Sequence, residues 1–254
     1  MRSIWIIFRH EMTQYFTSPI AYFVAFAILL LTGLNFNADL AQRVSQGQPA
    51  DEAAVLRNFA FFMIFFAPLI TMRLLSEEAR EGTLELMLTL PVRDSDIIVG
   101  KFLGAWAYLT LVLAVTLVYP AILLSLTTFS AAPLAAELDV GPVISSYLGI
   151  WLFVGSTIAV GLFFSSITEN QIVAGFLSMA VLFILWLGDL AGLLPASIVS
   201  TEVAQALREI SLQAHYSTSF VIGVIRVEDV VFYIGVMAVM LFVTIQVMES
   251  RRWR

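Results

Sequence analysis

The chain contains no cysteine among its 254 residues, and it is also poor in charge. Without thiols it forms no disulfide and offers no thiolate ligand to a metal ion. Charged residues make up 13% of the chain and hydrophobic residues 60%, and the mean hydropathy is +0.92. A soluble globular domain carries about 25% charged residues. The composition therefore predicts an integral membrane protein.

Other absences disfavour several classes of function. The formal net charge is −6 and no cluster of Lys and Arg suits a phosphate backbone, so we expect no nucleic-acid partner. The HExxH, GxSxG and CxxC patterns are missing. Around Lys101 the chain reads SDIIVGKF, without the first glycine or the following Ser or Thr of a phosphate-binding loop. We expect no catalytic residue, no ATPase site, no metal and no cofactor in this chain.

Six apolar runs are long enough to cross a membrane. A bilayer core of roughly 30 Å needs about 20 helical residues. The runs cover about residues 19–36, 58–75, 97–126, 143–164, 171–194 and 230–247. Pro68 is expected to bend the second span, and Asp229 is placed to cap the sixth. The predicted fold is an all-α membrane protein with six transmembrane helices in a single domain, residues 1–254.

The basic residues predict the orientation. An even number of spans puts both termini on one side, together with most of the Lys and Arg: Arg2, Arg9, Arg73, Arg80, Arg93, Lys101, Arg251, Arg252 and Arg254. The opposite side keeps four: Arg43, Arg57, Arg208 and Arg226. By the positive-inside rule both termini and residues 76–95 are cytoplasmic, and residues 195–229 are extracytoplasmic.

Residues 1–17 have the pattern of a helix lying in the membrane interface. Apolar side chains recur at helical spacing, whereas Arg9, His10 and Gln14 occupy the other side. Ser18 as N-cap and Pro19 as first helical residue favour a break before the first span. The alternative is that residues 2–17 extend the first span as one longer, tilted helix.

The cytoplasmic segment combines charge with a short amphipathic helix. Gly82 interrupts the charged stretch, Thr83 is placed as a cap, and Pro91 ends the helix. An apolar stripe follows positions i, i+3 and i+4: Leu84, Met87 and Leu88. So short a stripe needs support, either from the membrane surface or from a groove in a partner protein. The surrounding charges are expected to form exposed pairs of little energy: Glu77, Glu78, Arg80, Glu81 and Glu85.

The remaining segments carry structural expectations. Gly100 and Gly104 are expected to permit close helix packing within the chain. In the short connection before the fifth span, Glu169 either caps a helix or touches a partner.

On the outer side, residues 37–56 are expected to form a loop with a short helix. Residues 195–229 indicate a helix on the outer surface or a re-entrant element. Asp189 is assigned a hydrated structural role, and His215 is interpreted as a surface or packing residue.

Three stretches of sequence have a more specific pattern: EEAREGTLELMLTLPV at Glu77–Val92, the stretch Lys101–Gly104, and SSITENQIVAG at Ser165–Gly175. With the six-span layout, they resemble the ABC-2 type transporter permeases. Within that family the likeness is to the gliding-motility and Nos-type branch. The resemblance covers essentially the whole chain.

The resemblance implies a permease subunit that couples ATP hydrolysis by a separate cytosolic ATPase to substrate movement. The expected direction is export across the bacterial inner membrane. The implied partners are an ABC ATPase dimer, which binds the ATP and Mg, and a second permease chain, identical or different. A membrane-anchored extracytoplasmic auxiliary protein is left open. The competing hypothesis is a membrane scaffold that anchors an ATPase complex without transport.

The resemblance also implies where the ATPase binds. The segment between spans two and three would be the coupling helix, inserted into a cleft of the ATPase. The residues assigned to this contact are Glu77, Glu78, Arg80, Glu81, Gly82, Thr83, Leu84, Glu85, Leu86, Met87, Leu88, Leu90 and Pro91. The N-terminal interfacial helix would bring Arg9 and Glu11 near the ATPase surface, and spans two and five would shift at the dimer interface.

Overall fold

The computed structural model describes residues 2–48, 54–83, 92–129, 140–193 and 200–252. All regular structure in these ranges is helical. The α-helices are α1 Arg2–Thr17, α2 Pro19–Gln46, α3 Ala54–Thr71, α4 Ser76–Glu81, α5 Asp94–Val115, α6 Val118–Phe129, α7 Val140–Ile167, α8 Gln171–Leu187, α9 Thr201–Ile210, α10 Leu212–Ser217 and α11 Val227–Arg252. Two 3-10 helices cover Gly188–Leu193 and Phe220–Ile222.

Six helical stretches within the described ranges are long and apolar enough to cross a membrane. They are Pro19–Gln46, Val55–Glu81, Asp94–Ser125, Val140–Ile167, Gln171–Leu190 and Val227–Arg251. This confirms the predicted fold class, an all-helical membrane protein with six spans. Each predicted apolar run falls within or overlaps one of these stretches, because continuous hydrophobicity over this length is a strong signal.

The chain breaks between α1 and α2 at Ser18, whose backbone is extended with φ −82° and ψ 122°. Pro19 then begins α2, since its fixed φ suits the first helical position. Helix α1 therefore does not continue straight into the first span. It packs along the start of α5, where the absence of side chains at Gly100 and Gly104 permits close approach. A Cβ at Gly100 would lie 2.8 Å from the Ile7 side chain.

Several predicted boundaries are wrong. Helix α2 runs on to Gln46, its last turns contain a partly exposed Asp39–Arg43 ion pair of 2.8 Å, and Gly47, at φ 64°, ends it. The loop expected from residue 37 therefore starts later, and residues 49–53 lie outside the described ranges. The third span is interrupted by a turn at residues 116–117, which separates α5 from α6.

Two predicted caps are also wrong. Helix α8 is capped by Asn170, whose side chain accepts from the backbone N–H of Ile172 and Val173, and Glu169 is exposed instead. Helix α11 begins at Val227, so Asp229 lies inside its first turn. A capping residue must precede the first helical residue to reach the free N–H groups. That leaves the Asp229 carboxylate available for another contact.

Helix α7 is the central helix of the bundle. In its most apolar window 78% of the residues are buried, the highest share among the six candidate spans. Small residues let neighbouring helices approach both of its ends: a Cβ at Gly161 would lie 2.0 Å from Thr71 on α3, and one at Gly149 would lie 2.4 Å from Phe220. Because α7 touches both regions, it connects the end that carries α4 with the end that carries α9. We call these the α4 end and the α9 end.

The segment between α8 and α11 divides into an exposed and a buried part. Helix α9 has no buried residue. Helix α10 and the 3-10 helix Phe220–Ile222 enter the bundle, where Ser145 and Ser146 of α7 donate hydrogen bonds of 2.7 and 3.1 Å to the Phe220 carbonyl. Tyr233 of α11 donates to the Leu212 carbonyl at 2.7 Å. The segment thus has an exposed helix followed by elements that are buried among the bundle helices.

Candidate functional site

The start of α4 is fastened to the central helix by one serine. The Ser165 hydroxyl on α7 accepts hydrogen bonds from the backbone N–H groups of Leu75 and Ser76, at 3.0 and 3.1 Å. It donates one to the Met72 carbonyl at 3.2 Å. These backbone groups lie where α3 ends and α4 begins and the regular helical hydrogen bonds are interrupted. The Ser165 side chain alone supplies a hydrogen bond to each of the three. The orientation of α4 is therefore tied to α7.

A buried lysine joins three helices at the same end. The Lys101 ammonium of α5 lies 2.7 Å from Glu11 Oε1 on α1 and 2.7 Å from Glu78 Oε1 on α4. Only 2% of the Lys101 side chain is exposed, 4% of Glu11 and 16% of Glu78. A buried ammonium without partners would be strongly unfavourable, so these contacts make the three helices interdependent. We call this group the Lys101 cluster.

Close packing of α1 on α5 makes the Lys101 cluster possible. A Cβ at Gly104 would lie 2.7 Å from the Glu11 Cβ, so glycine is needed for the Glu11 side chain to lie against α5. Glu11 is one helical turn from Ile7, which faces Gly100 in the same way. The residues of α1 that face α5 are therefore set by the two glycines, and the apolar side chains of Trp5 and Phe16 remain exposed on α1.

Tyr15 completes the packing of α1 beside the cluster. Its ring stacks on Tyr108 of α5 with centroids 4.8 Å apart, and the Tyr108 hydroxyl donates to the Ala21 carbonyl at 2.6 Å. Burial, followed by the nearby Glu11 carboxylate, raises the pKa of the Tyr15 hydroxyl well above its ordinary value. The hydroxyl therefore stays protonated and adds no further negative charge around Lys101.

A second ion pair crosses the turn between α3 and α4. The Arg73 guanidinium donates to both carboxylate oxygens of Glu77, at 2.7 and 2.8 Å. Its two side chains are 34% and 25% exposed, so solvent weakens it far more than it weakens the Lys101 cluster. It stabilises the direction in which α4 leaves α3.

A cavity of about 600 Å³ lies between the α1–α2 bend and the α3–α4 turn. Its polar lining includes four carboxylates and two basic side chains: Glu11, Glu77, Glu78, Glu81, Arg73 and Lys101. Both bases are already paired with carboxylates. No group of three or more potential metal ligands occurs among the described residues. The arrangement is suited to holding helices together, and it contains no activated nucleophile.

The predicted contact residues fall into two groups. Arg80 and Glu81 are exposed and 3.9 Å apart, Gly82 ends α4 at φ 72°, and Thr83 follows. Seven members lie outside the described residues: Leu84, Glu85, Leu86, Met87, Leu88, Leu90 and Pro91. Whether these residues contact an ATPase stays a prediction.

Three acidic residues differ from the sequence interpretation. Glu77 and Glu78 were expected in exposed pairs, but Glu77 is partly buried against Arg73 and Glu78 is largely buried against Lys101. Glu11 was expected near a partner surface, but its carboxylate faces α5. Of the two residues assigned on α1, only Arg9 is exposed. Glu11 and Glu78 pair with Lys101 from distant parts of the chain, whereas Glu77 pairs with Arg73 one helical turn away. Whether any of these residues contacts an ATPase stays a prediction.

Sequence reasoning missed the buried ion pairs of Lys101, although it used this residue for the orientation and for the family resemblance. A usable signal was present: a lysine within an apolar run demands a charged partner. The sequence contains 19 acidic residues, and nothing in their spacing selects Glu11 and Glu78 as that partner pair.

These features define a multi-span helical membrane protein whose charged junction holds helices in place. The sequence matches the family described as ABC-2 family transporter protein over residues 5–216. The chain therefore belongs to the ABC-2 transporter family, as a membrane component that is generally not itself catalytic and generally pairs with an ABC ATPase. A search of curated proteins found no match. The family match covers no particular branch, so the gliding-motility and Nos-type assignment stays a prediction.

Proposed function

We propose that this chain is the permease subunit of an ATP-driven exporter in the bacterial inner membrane. Family membership supports a transporter membrane component. The proposal adds a dimer of separate cytosolic ATPases that binds ATP and Mg, a second permease chain, and cytoplasmic termini. The excess of Lys and Arg on the side of residues 76–95 supports that orientation.

The observation that carries the proposal is that the Lys101 cluster bridges the two flanks of residues 84–91. Glu78 precedes that segment and Lys101 follows it, and their side chains are 2.7 Å apart. A push on the segment is therefore delivered to the start of α5 and, through Glu11, to α1. Ser165 carries the same displacement to α7. The junction thus has the connections that a force-transmitting element needs.

Coupling then requires that the ATPase favour one arrangement of these helices. If nucleotide-bound ATPases bind one conformation of the segment better, they shift the permease toward that conformation. A buried ion cluster resists partial separation, because each helix that moves alone would leave a charge unpaired. The helices joined by Lys101 are therefore expected to move together, which transmits a local push to the spans.

The first experiment tests the contact. Changing Leu84, Met87 and Leu88 together to Glu should abolish co-purification with the partner ATPase, because charge would replace the apolar stripe. The matched control changes three exposed apolar residues of α9, Val203, Leu207 and Ile210, in the same way and should leave co-purification intact. A complex that survives the first set of changes would remove the coupling assignment.

The second experiment separates a transporter from a scaffold. In reconstituted proteoliposomes, Lys101→Met should retain the ATPase but make its ATP hydrolysis rate independent of the permease. The control Arg208→Met, at an exposed site on α9 outside the assigned ATPase contact, should leave the rate unchanged. Substitutions at Gly82 or Glu85 should also change the rate. A scaffold would bind the ATPase with a rate insensitive to Lys101, Gly82 and Glu85 alike.

A further inference from the structure

His215 lies on α10 where three helices meet at the α9 end. Its Nδ1 is 2.6 Å from Asp229 Oδ1, in the first turn of α11. Its Nε2 is 3.0 Å from the backbone oxygen of Glu209, in the last turn of α9. The ring stacks on Phe232 of α11 with centroids 3.8 Å apart. One side chain therefore contacts both helices that flank α10.

Both hydrogen-bonding partners of the ring are acceptors. A backbone carbonyl never donates, and an ionised carboxylate only accepts, whereas a neutral imidazole has one N–H group and one lone pair. A neutral ring beside ionised Asp229 would therefore point a lone pair at one of the two oxygens. With a second proton the ring donates to both. If the proton sits on Asp229 instead, the carboxylic acid donates to the ring lone pair and the ring N–H donates to the Glu209 carbonyl. In either arrangement the His215–Asp229 pair holds one proton more than a neutral ring beside an ionised carboxylate.

The charges around the ring are mixed, with two arginines and three carboxylates besides Asp229. Next to it is a cavity of about 280 Å³ whose lining includes Arg208 and Glu209 from α9, Arg226 before α11, and Glu228 of α11. Asp189, in the 3-10 helix after α8, is 3.9 Å from Arg208.

Two further groups pack on the same element. The Tyr233 ring of α11 meets the His215 ring edge-on with centroids 6.5 Å apart, and Ser217 of α10 donates to Asp189 at 3.4 Å. Asp229 is 5% exposed and His215 21%, so the ring remains within reach of protons from the cavity.

Helix α9 depends on contacts of this kind. It has no buried residue, so little apolar burial keeps it in place. Besides the Glu209 contact, its Leu207 carbonyl lies close to Gly188, where a Cβ would be 2.5 Å from that oxygen. Helix α9 packs mainly on the 3-10 helix Gly188–Leu193, and the His215 contact ties its last turn to α11.

We propose that His215 and Asp229 form a proton-dependent latch that holds α9 and α10 against α11. The latched arrangement binds the extra proton, so acidity favours it and rising pH releases it. The Phe220 carbonyl stays bonded to α7, so the released part is expected to be α9 and the start of α10. The latch concerns no ATPase contact and stands apart from the proposed function.

The chain offers a clean test because it contains two histidines and no cysteine. A single cysteine at exposed Gln205 on α9 would carry a spin label, and its mobility would be followed in lipid nanodiscs from about pH 5 to about pH 8. His10→Gln is the matched control, since exposed His10 bonds only Gln14 among the described residues. Labelling with ¹⁵N-histidine in the His10→Gln background reports His215 protonation directly.

The expected result is an ordered label at low pH that loses its ordered component as the pH rises, in the wild type and in His10→Gln. His215→Gln and Asp229→Asn should each lose that pH response. If His215→Gln fails to fold, Asp229→Asn decides, because it keeps the shape of the side chain. A pH response that persists in either folded variant overturns the latch, as does a wild-type label whose mobility is independent of pH.

Discussion

The two ends of the bundle both bury a charged contact between helices, with different chemistry. At the α4 end a lysine holds two carboxylates, and all three helices depend on a group that stays charged at any physiological pH. At the α9 end a histidine faces a carboxylate and a carbonyl, so the contact changes with one proton. The permanently charged Lys101 cluster suits helices that must stay joined while force is transmitted. The His215–Asp229 contact depends on one proton and can therefore open.

Distance keeps these two regions independent. Ser165 of α7 bonds the start of α4, and Ser145 of the same helix bonds Phe220. At 1.5 Å per residue these serines lie about 30 Å apart. Signals between the ends must therefore pass along α7 or its packed neighbours, and substitutions at one end should leave the local contacts of the other unchanged.

The largest expected effect comes from breaking the Lys101 cluster. Lys101→Met leaves two buried carboxylates facing each other and should lower the free energy of unfolding by about 3–5 kcal/mol. Thermal unfolding in detergent micelles measures the change. Adding Glu11→Gln and Glu78→Gln to the same chain should recover most of the loss, because no unpaired charge then remains. If the triple variant is as unstable as Lys101→Met, the unpaired buried charges are not the cause of the lost stability.

Filling the two close contacts of α7 should come next. Gly161→Ala would put a methyl group against Thr71, whose hydroxyl is held by the Ala67 carbonyl, and should cost about 3 kcal/mol. Gly149→Ala, against Phe220, tests the α9 end in the same unfolding assay.

The control for these substitutions is Gly235→Ala on α11, where nothing lies within 4 Å of the added Cβ. It should stabilise the protein by about 0.5–1 kcal/mol through helix propensity. If all three substitutions had the same effect, close packing against α7 would be refuted.

Removing the serine contacts should sharpen the comparison further. Ser165→Ala leaves the N–H groups of Leu75 and Ser76 without their acceptor and should cost about 2 kcal/mol. Ser145→Ala should cost less, because Ser146 still donates to the Phe220 carbonyl. Unfolding free energies of the two variants give the difference. Equal losses would mean that the α4 end is no more dependent on its serine than the α9 end is.

The smallest effect is expected at the partly exposed ion pair. Arg73→Gln should cost less than about 1 kcal/mol, because solvent screens the pair with Glu77. The contribution of this pair should shrink further in high salt, whereas the Lys101 cluster should be almost insensitive to salt. Unfolding at low and high ionic strength measures both. A strong salt dependence of the Lys101→Met effect would show that the cluster is open to water.

Much of the fold could be predicted because membrane spans depend on composition alone. The start of α2 at Pro19 also follows from local chemistry, since proline suits the first turn and Ser18 can adopt an extended backbone. The far end of α2 could not be located in this way. It extends to Gln46 through a polar stretch that was interpreted as a loop with a short helix, and the partly exposed Asp39–Arg43 pair adds only a little stability there.

The candidate site was only partly predictable. Residues 77–83 were expected in a segment after the second span, and their charges suggested exposure. Glu78 is largely buried because Lys101 and Glu11, far away in the sequence, surround it. His215 shows the same limit: it was interpreted as a residue without a partner, and Asp229, expected as a cap, is that partner.

Sequence alone determined that this protein crosses a membrane six times and that charge concentrates near residues 76–95, because hydrophobic length and composition need no knowledge of neighbours. Only the tertiary structure decided which charges pair. An ammonium or an imidazole in an apolar setting must find acceptors, but helix packing selects them from residues far apart in the chain. Glycines at positions 100 and 104 bring Glu11 to Lys101, and the return of the chain through α10 brings His215 to Asp229.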